Sequence, residues 1–269
     1  MEFKLQNEKI MLTASSKAAE IISLKKIDGQ EMIWDRNKED WHNCNPILFP
    51  IVGPLANNQY EYEGNTYTLT QHGFLRRSEF KFEEIKKDEM TLSFTANDES
   101  KKLYPFDFKI TVNYCLNDNK VLLNYTIYNL DNKDLPFEIG FHPAFNCPNI
   151  YDKNFSDWYV EFEKEETFGQ KLPLSTIINA EKNQTFYHNE LNSTYVSVTN
   201  GSQGIRIGIE GYNVLGFWHK RPEAEFICIE PQFPKNNLES NNFFQRENKI
   251  NLLLKPNCSF NCSYYWQVL

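Results

Sequence analysis

Hydrophobic and polar side chains alternate with a period of two along most of this 269-residue chain. Short alternating segments are separated by Gly, Asn, Asp and Pro, which favour turns. Such segments predict half-buried β-strands, because successive side chains of a strand point to opposite faces of a sheet. Helical periodicity is nearly absent, and between the strand segments we predict a helical turn only at Asp98–Leu103.

Paired alternating segments predict three hairpins in the first half of the chain. Residues 60–69 form one around the turn Gly64–Asn65, residues 79–94 a second and residues 106–127 a third. The apolar segment 46–54 contains three prolines. Because proline cannot occupy a central strand, we expect this segment to be irregular, buried and at the rim of a sheet.

Many short strands with turn residues between nearly every pair predict an all-β protein, a large antiparallel β-sandwich of sheets packed face to face. The 21 Phe, 14 Tyr and 5 Trp residues suit the half-buried surfaces of broad sheets. No linker, heptad or fixed-period repeat divides the sequence. We therefore expect a single domain over residues 1–269.

Charge and composition exclude several classes of partner. The net charge of −8 comes with no basic stripe, which argues against a nucleic-acid partner. No run of about 18 apolar residues predicts a membrane span, and no export signal opens the sequence, so we expect a cytoplasmic protein. Six cysteines in this setting predict reduced thiols, and the absence of CxxC and HExxH argues against a metal. The oligomeric state stays open.

Three residues with catalytic side chains lie at predicted strand ends. Gly73 permits a positive φ, so its loop can turn His72 inward. Pro143 biases His142 toward an extended conformation at the end of its strand. Glu230 closes a nearly all-apolar strand, where a carboxylate is costly to bury unless it is paired or used.

Each of these residues also has a purely structural interpretation. A lone histidine is commonly a core residue bonded to the backbone, and such a carboxylate commonly caps a loop. Placed beside each other, however, the carboxylate of Glu230 would raise the pKa of His142 and stay ionised itself. The pair would then supply a charged acid and a charged base at neutral pH without a cofactor.

Four motifs occur in a fixed order: NPILFPIVG at 45–53, QHGF at 71–74 followed by Arg76, GFHP at 140–143 and CIEP at 228–231. Together they resemble the aldose 1-epimerase (galactose mutarotase-like) family, especially its branch of LacX-like proteins. The resemblance spans nearly the whole chain, and the ordered set is far more specific than any one motif. It implies a large antiparallel β-sandwich, often called a supersandwich, with a sugar pocket on the concave face of one sheet.

The resemblance also implies a role for each strand-end residue. Glu230 matches the general base, His142 the general acid, and His72 a second histidine that holds the sugar near its ring oxygen. The base removes the proton of the C1 hydroxyl while the acid protonates the ring oxygen, the ring opens, and closure on the other face gives the other anomer. We expect the acid and base to face each other at the width of one pyranose ring, with no metal or other cofactor.

Three further residues are candidates for sugar binding. Arg76 matches the motif arginine and would contact sugar hydroxyls, unless it forms a surface salt bridge. Trp218 would present its aromatic face to sugar C–H groups, unless it belongs to the core. Asn45 opens the apolar rim segment and would touch the ligand. Two positions depart from the family pattern: Pro54, where many relatives carry arginine, and Gln232, where an aromatic commonly follows the Glu-Pro pair.

The function predicted first is an aldose 1-epimerase that acts on a free aldohexose. The basic pairs Arg76–Arg77 and Lys220–Arg221 support an alternative, a hexose-phosphate 1-epimerase, because either pair could bind a phosphate. The departures at Pro54 and Gln232 support a second alternative, a non-catalytic carbohydrate-binding or sensing protein on the same fold. A glycoside hydrolase is less well supported, since it usually needs two carboxylates and only Glu230 is available.

Overall fold

The computed structural model describes residues 1–148, 151–178, 184–212, 214–233 and 252–269. These ranges fold mostly into antiparallel strands, as the alternation predicts. The strands are β1 (Glu2–Gln6), β2 (Ile10–Ser15), β3 (Ile21–Lys26), β4 (Ile47–Leu48), β5 (Gln59–Tyr62), β6 (Asn65–Thr68), β7 (Lys81–Ile85), β8 (Glu89–Thr95), β9 (Phe108–Asn117), β10 (Lys120–Asn129), β11 (Leu135–Phe137), β12 (Ile139–Phe141), β13 (Ala144–Asn146), β14 (Tyr159–Glu166), β15 (Gly169–Pro173), β16 (Phe186–Asn189), β17 (Tyr195–Thr199), β18 (Gly204–Gly208), β19 (Val214–Trp218), β20 (Phe226–Phe233), β21 (Leu252–Leu254) and β22 (Ser259–Val268). The helices are α1 (Asp98–Leu103) and α2 (Leu174–Ile178), with 3-10 turns at Ala56–Asn58, Leu75–Arg77 and Phe155–Asp157.

Two large sheets form the sandwich. The nine-stranded sheet has the order β15-β14-β17-β18-β22-β10-β9-β8-β7, and the six-stranded sheet has the order β16-β19-β20-β12-β4, with β13 also paired to β20. Aromatic rings join the two sheets: Phe141 lies 4.3 Å from Tyr125 and Phe145 lies 5.3 Å from Trp266 between ring centroids. The core therefore lies between the sheets, as in other face-to-face packings.

The predicted hairpins are all present, and one turn differs by a residue. In the β5–β6 hairpin the turn is Glu63–Gly64, with φ of 49° and 77° at the two positions, instead of the expected Gly64–Asn65. A two-residue turn of this kind needs positive φ at both central residues, and glycine takes the second position here. The helical turn predicted at Asp98–Leu103 is α1, which Asn97 caps by accepting a hydrogen bond from the Ser100 amide.

The rim segment 46–54 is irregular, as predicted, apart from the short β4 that pairs with β12 at the edge of the sheet. Residues 46–53 are buried, as predicted, whereas Pro54 is exposed. Its backbone holds the neighbouring histidine loop. The Phe74 amide donates to the Phe49 carbonyl at 3.1 Å, and the His72 amide donates to the Gly53 carbonyl at 3.0 Å. The rim segment and the histidine loop, which contain two of the sequence motifs, thus pack together as one layer at the sheet edge.

We expected strand β20 to end at Glu230, because a proline follows. The strand instead continues through Pro231. The Ile229 amide donates to the Pro143 carbonyl at 3.2 Å, and the nitrogen of Pro231, two residues on, faces the same side. On that side β12 and β13 are separated by His142 and Pro143. The missing N–H of Pro231 therefore falls at a break in the neighbouring strand.

Three structural facts bear on partners. Among the described residues, no helix is long and apolar enough to cross a membrane. All six cysteines lie in the described ranges, and each is a free thiol. No group of three or more His, Cys, Asp or Glu side chains in this part of the chain is arranged to hold a metal ion.

Candidate active site

His142 occupies the break between β12 and β13. Its amide donates to the Pro46 carbonyl at 3.3 Å, which fixes the backbone against the rim segment. Its ring packs against two tryptophans that also contact each other, with centroids 4.8 Å from Trp41 and 5.4 Å from Trp218. The residue is 7% exposed, and its Nδ1 atom is buried with no hydrogen-bond partner among the described residues.

Glu230 lies on β20 beside this break, and its Oε1 atom is 3.2 Å from Nε2 of His142. Gln232 donates from Nε2 to the other carboxylate oxygen at 3.0 Å. Gly216 is the partner of Glu230 on β19, where a Cβ would lie only 3.3 Å from the carboxylate. The two residues predicted as acid and base are therefore in contact on one wall. We had expected them to be separated by the width of a pyranose ring.

Both side chains line a cleft of about 620 Å³, a volume typical of small-molecule sites. The cleft lies on the outer face of the six-stranded sheet. Phe217 and Ile229 point into the core, and Trp218 and Glu230, their neighbours along β19 and β20, point into the cleft. Five of the six predicted site residues line it: His72, Arg76, His142, Trp218 and Glu230.

Asn45 is the predicted site residue that does not line the cleft. It is 1% exposed, its amide donates to Glu20 at 3.0 Å, and its side-chain oxygen accepts from the Tyr264 hydroxyl at 3.1 Å. Tyr264 belongs to β22 of the nine-stranded sheet. Asn45 therefore ties the rim segment to the opposite sheet, and the expected contact with a ligand is not supported.

The loop geometry turns His72 into the cleft. His72 and Gly73 have φ of 66° and 68°, and a Cβ on Gly73 would lie 2.0 Å from the Phe49 carbonyl oxygen, so only glycine fits. The Gly53 amide donates to Nδ1 of His72 at 3.0 Å. Because a backbone N–H is always a donor, the proton of this neutral imidazole is on Nε2. The side-chain nitrogen of Gln71 lies 3.1 Å from Nε2, so with this tautomer the Gln71 amide must present its oxygen there, because two donors cannot face each other.

His72 stays neutral. Burial lowers its pKa to about 3, with smaller contributions from the charges of Arg76 and Arg77. Its ring centroid lies 5.9 Å from that of His142 in an edge-on arrangement. His72 is thus a fixed N–H donor beside the acid–base pair.

The charges of His142 and Glu230 differ from our expectation. Burial raises the pKa of Glu230 to about 8, although the hydrogen bond from Gln232 opposes this. Burial also lowers the pKa of His142 well below 6.5, and its neighbours His72 and Arg76 lower it further. Loss of water contact is the largest cause of both shifts. Near neutral pH the pair therefore carries one proton, on Glu230.

Several other cleft residues were not predicted as ligand contacts. Tyr187 on β16 has a hydroxyl that interacts with Thr185 and Gln232; burial and then the charge of Glu230 raise its pKa to about 12. Trp41 comes from a polar loop that gave no sequence signal. The unpredicted lining residues are Trp41, Gln71, Gln184, Thr185 and Tyr187, and Lys220 was considered only for phosphate binding.

A second buried histidine–carboxylate pair lies outside the cleft. Nε2 of His188 is 3.0 Å from Oε2 of Glu166. The other carboxylate oxygen of Glu166 accepts hydrogen bonds from the backbone amides of Asn192 and Ser193 and from the Ser193 hydroxyl. His188 is on β16, the edge strand of the six-stranded sheet, and Glu166 is on β14, the second strand of the nine-stranded sheet, so the pair joins the two large sheets. Tyr187, the residue before His188, faces the cleft.

Solved structures share this architecture. The galactose mutarotase related enzyme from Lactobacillus acidophilus is 26% identical, with a TM-score of 0.89 over 100% of this chain and 97% of that one. A galactose mutarotase-like protein from Lactobacillus casei is 22% identical, with a TM-score of 0.90 over 100% of both chains. Fold and cleft together define a β-sandwich protein of the galactose mutarotase-like class, as the sequence predicted.

The family follows from the sequence match. The chain belongs to the aldose 1-epimerase family, whose model matches residues 1–243. Over 260 residues it is 28% identical to the protein LacX, plasmid, of Lactococcus lactis subsp. lactis, a match that covers 86% of this chain and 87% of that protein. The chromosomal LacX of the same organism matches equally well. The predicted family and its LacX-like branch are confirmed.

Proposed function

We propose that the protein is an aldose 1-epimerase, an isomerase that interconverts the α and β anomers of an aldohexose, with the free sugar as its simplest substrate. The supporting observation is the 3.2 Å contact between His142 and Glu230 at the cleft wall. The C1 hydroxyl oxygen and the ring oxygen are bonded to the same carbon. An acid and a base 3.2 Å apart can therefore reach both oxygens of a sugar that lies over the pair.

In this proposal Glu230 removes the proton of the C1 hydroxyl while His142 protonates the ring oxygen. The ring opens to the aldehyde, C1 turns about the C1–C2 bond, and closure on the other face reverses both roles. Because the proton of the folded pair is on Glu230, these roles require its transfer to His142 across the 3.2 Å contact when the sugar binds. The total of one proton on the pair does not change.

The residues around the pair have positioning roles. His72 donates its Nε2–H toward the ring oxygen, Trp218 and Trp41 offer aromatic faces to the C–H groups of the sugar, and Gln232 fixes the carboxylate of Glu230. The departure from the family pattern at Gln232 thus keeps the base in place. No step of this chemistry requires a metal or another cofactor.

Substitution of the pair tests the proposal. We expect His142→Ala and Glu230→Gln each to lower enzyme-catalysed anomer exchange by roughly 10²–10⁴-fold, because each removes a positioned proton-transfer group. Saturation-transfer NMR on glucose and galactose measures the exchange, and circular dichroism checks the fold. Glu210→Gln, which changes an exposed carboxylate, is the matched control. Wild-type exchange in Glu230→Gln contradicts the acid–base assignment.

Calorimetry, combined with the exchange measurement, distinguishes the epimerase from a non-catalytic binding protein. Sugar binding by calorimetry, with anomer exchange at the rate of buffer alone, identifies a carbohydrate-binding or sensing protein. Release of reducing sugar from an aryl glycoside identifies a hydrolase instead.

A further inference from the structure

The fold divides each of the two basic pairs noted in the sequence. Arg76 lines the cleft, whereas Arg77 lies outside it and hydrogen-bonds a threonine at 2.9 Å. Lys220 lines the cleft, whereas Arg221 is paired with Asp40 at 2.5 Å. Each pair therefore places one cation in the cleft, while the other cation binds a residue outside it.

The two cleft cations have no acidic partner in the described ranges. The half-buried guanidinium of Arg76 makes no hydrogen bond or ion pair there, although it has five N–H donors. The carboxylate of Glu20 acts on it only at a distance, because Glu20 already pairs with Arg36 at 3.2 Å. Burial and the charge of Arg77 lower the pKa of Arg76, as expected for an uncompensated cation. Lys220 is exposed at the cleft, so the argument from burial rests on Arg76. The unused donors of this half-buried guanidinium indicate an anionic ligand.

The chemistry of the site restricts where the anion is attached. Ring opening at His142 and Glu230 needs a free C1 hydroxyl, so the anionic group is on another carbon of the sugar. A phosphate carries a charge of about −1.5 to −2 at pH 7, which two cations neutralise. A sugar carboxylate carries a single charge and would leave one cation unpaired.

We propose that the preferred substrate is a hexose phosphate, with its phosphate on a carbon other than C1 and bound by Arg76 and Lys220. This inference rests on the proposed epimerase function and names its substrate class. The phosphate is held by one member of each basic pair, and not by either pair as a unit.

A phosphate at Arg76 also acts on the acid. The titratable groups that face His142 are Glu230, His72 and Arg76. Near neutral pH Glu230 holds the shared proton and His72 is neutral, so the charge among them is that of Arg76, which helps to lower the pKa of His142. A bound phosphate offsets the charge of Arg76, which favours movement of the shared proton from Glu230 to His142. A free sugar leaves that charge in place. The phosphate is therefore expected to raise turnover as well as affinity.

Comparison of substrates is the first test. Anomer exchange is measured by saturation-transfer NMR for glucose, galactose, their 6-phosphates and the corresponding uronates. We expect kcat/KM for a 6-phosphate to exceed that for the free sugar at least about tenfold, and added NaCl to reduce this advantage. Equal rates for free and phosphorylated sugars overturn the inference, and faster exchange of the uronates assigns the cations to a carboxylate instead.

Variants are the second test, with the neighbouring cations as matched controls. Arg76→Gln and Lys220→Gln are expected to lower the ratio of kcat/KM for the 6-phosphate to that for the free sugar at least about tenfold. Arg77→Gln and Arg221→Gln are expected to leave this ratio at the wild-type value. A ratio that Lys220→Gln does not change overturns the assignment.

Calorimetry keeps this inference separate from the proposed function. If no sugar shows accelerated exchange, the epimerase proposal fails, and binding of a hexose 6-phosphate to the wild type then decides the inference. Binding that Lys220→Gln weakens and Arg221→Gln preserves supports the phosphate site. No binding of the 6-phosphate to the wild type overturns it.

Discussion

The single proton shared by His142 and Glu230 sets the pH range of the proposed reaction. Above the pKa of Glu230, about 8, the pair loses its proton and has no acid. Below the pKa of His142, which lies well below 6.5, it holds two protons and has no base. We expect kcat/KM to be level through pH 6.5–8 and to fall tenfold per pH unit above about 8. Exchange rates corrected for buffer catalysis check this, and a fall on acidification through pH 6.5 contradicts it.

The raised pKa of Glu230 also makes stability depend on pH. An unfolded chain ionises this carboxyl near 4.5, whereas the folded protein keeps it protonated up to about 8. The resulting contribution to stability is fully present below about 4.5 and is lost as the pH rises through about 8. We therefore expect the stability of wild type relative to Glu230→Gln to fall between pH 5 and pH 9, measured by urea unfolding. A constant difference contradicts the shift.

The sequence predicts residue roles where a local motif fixes the side chain. His142 and Glu230 were found because Pro143 and an apolar strand mark their positions, and the two come into contact as neighbours on adjacent strands. Trp41 and Tyr187 were not found, because they reach the cleft from a loop and an edge strand that only the tertiary fold brings there. The charges of the pair were misjudged for the same reason, since burial is not visible in the sequence.

At the scale of elements, the layer formed by the rim segment and the histidine loop depends on Gly73. Gly73 and Gly64 both have positive φ, but a Cβ would meet the Phe49 carbonyl at Gly73 and nothing within 4 Å at Gly64. We expect Gly64→Ala to lower the free energy of unfolding by about 1–2 kcal/mol from backbone strain alone. Gly73→Ala is expected to cost more and to reduce anomer exchange, because the loop that holds His72 must move.

Urea unfolding and exchange rates of both variants check this difference. Equal costs would mean that the close approach to Phe49 contributes nothing, and a large loss of exchange in Gly64→Ala would mean that the effect is not specific to the histidine loop. Circular dichroism confirms that each variant still folds.

Strands are predicted correctly where apolar and polar residues alternate over a long segment. Some short strands and helices are missed. The hairpin β9–β10 has ten residues in each strand, and its buried positions follow the alternation along both strands. Strand β13 has three residues and helix α2 has five, which is too few for a period to show. The continuation of β20 through Pro231 could not be read locally, because it depends on the break that His142 and Pro143 make in the next strand.

At the scale of the whole molecule, the core joins residues from both ends of the chain. Leu5 and Val268 belong to one hydrophobic cluster, and Lys26 donates to the carbonyl of Leu269 at 2.9 Å. We therefore propose that residues 1–269 form one domain that unfolds in a single cooperative step. Calorimetry is expected to give equal calorimetric and van't Hoff enthalpies, with Gly73→Ala shifting the whole transition to lower temperature. Two separate transitions, of which Gly73→Ala moves only one, would show that the histidine loop and the remaining core belong to different units.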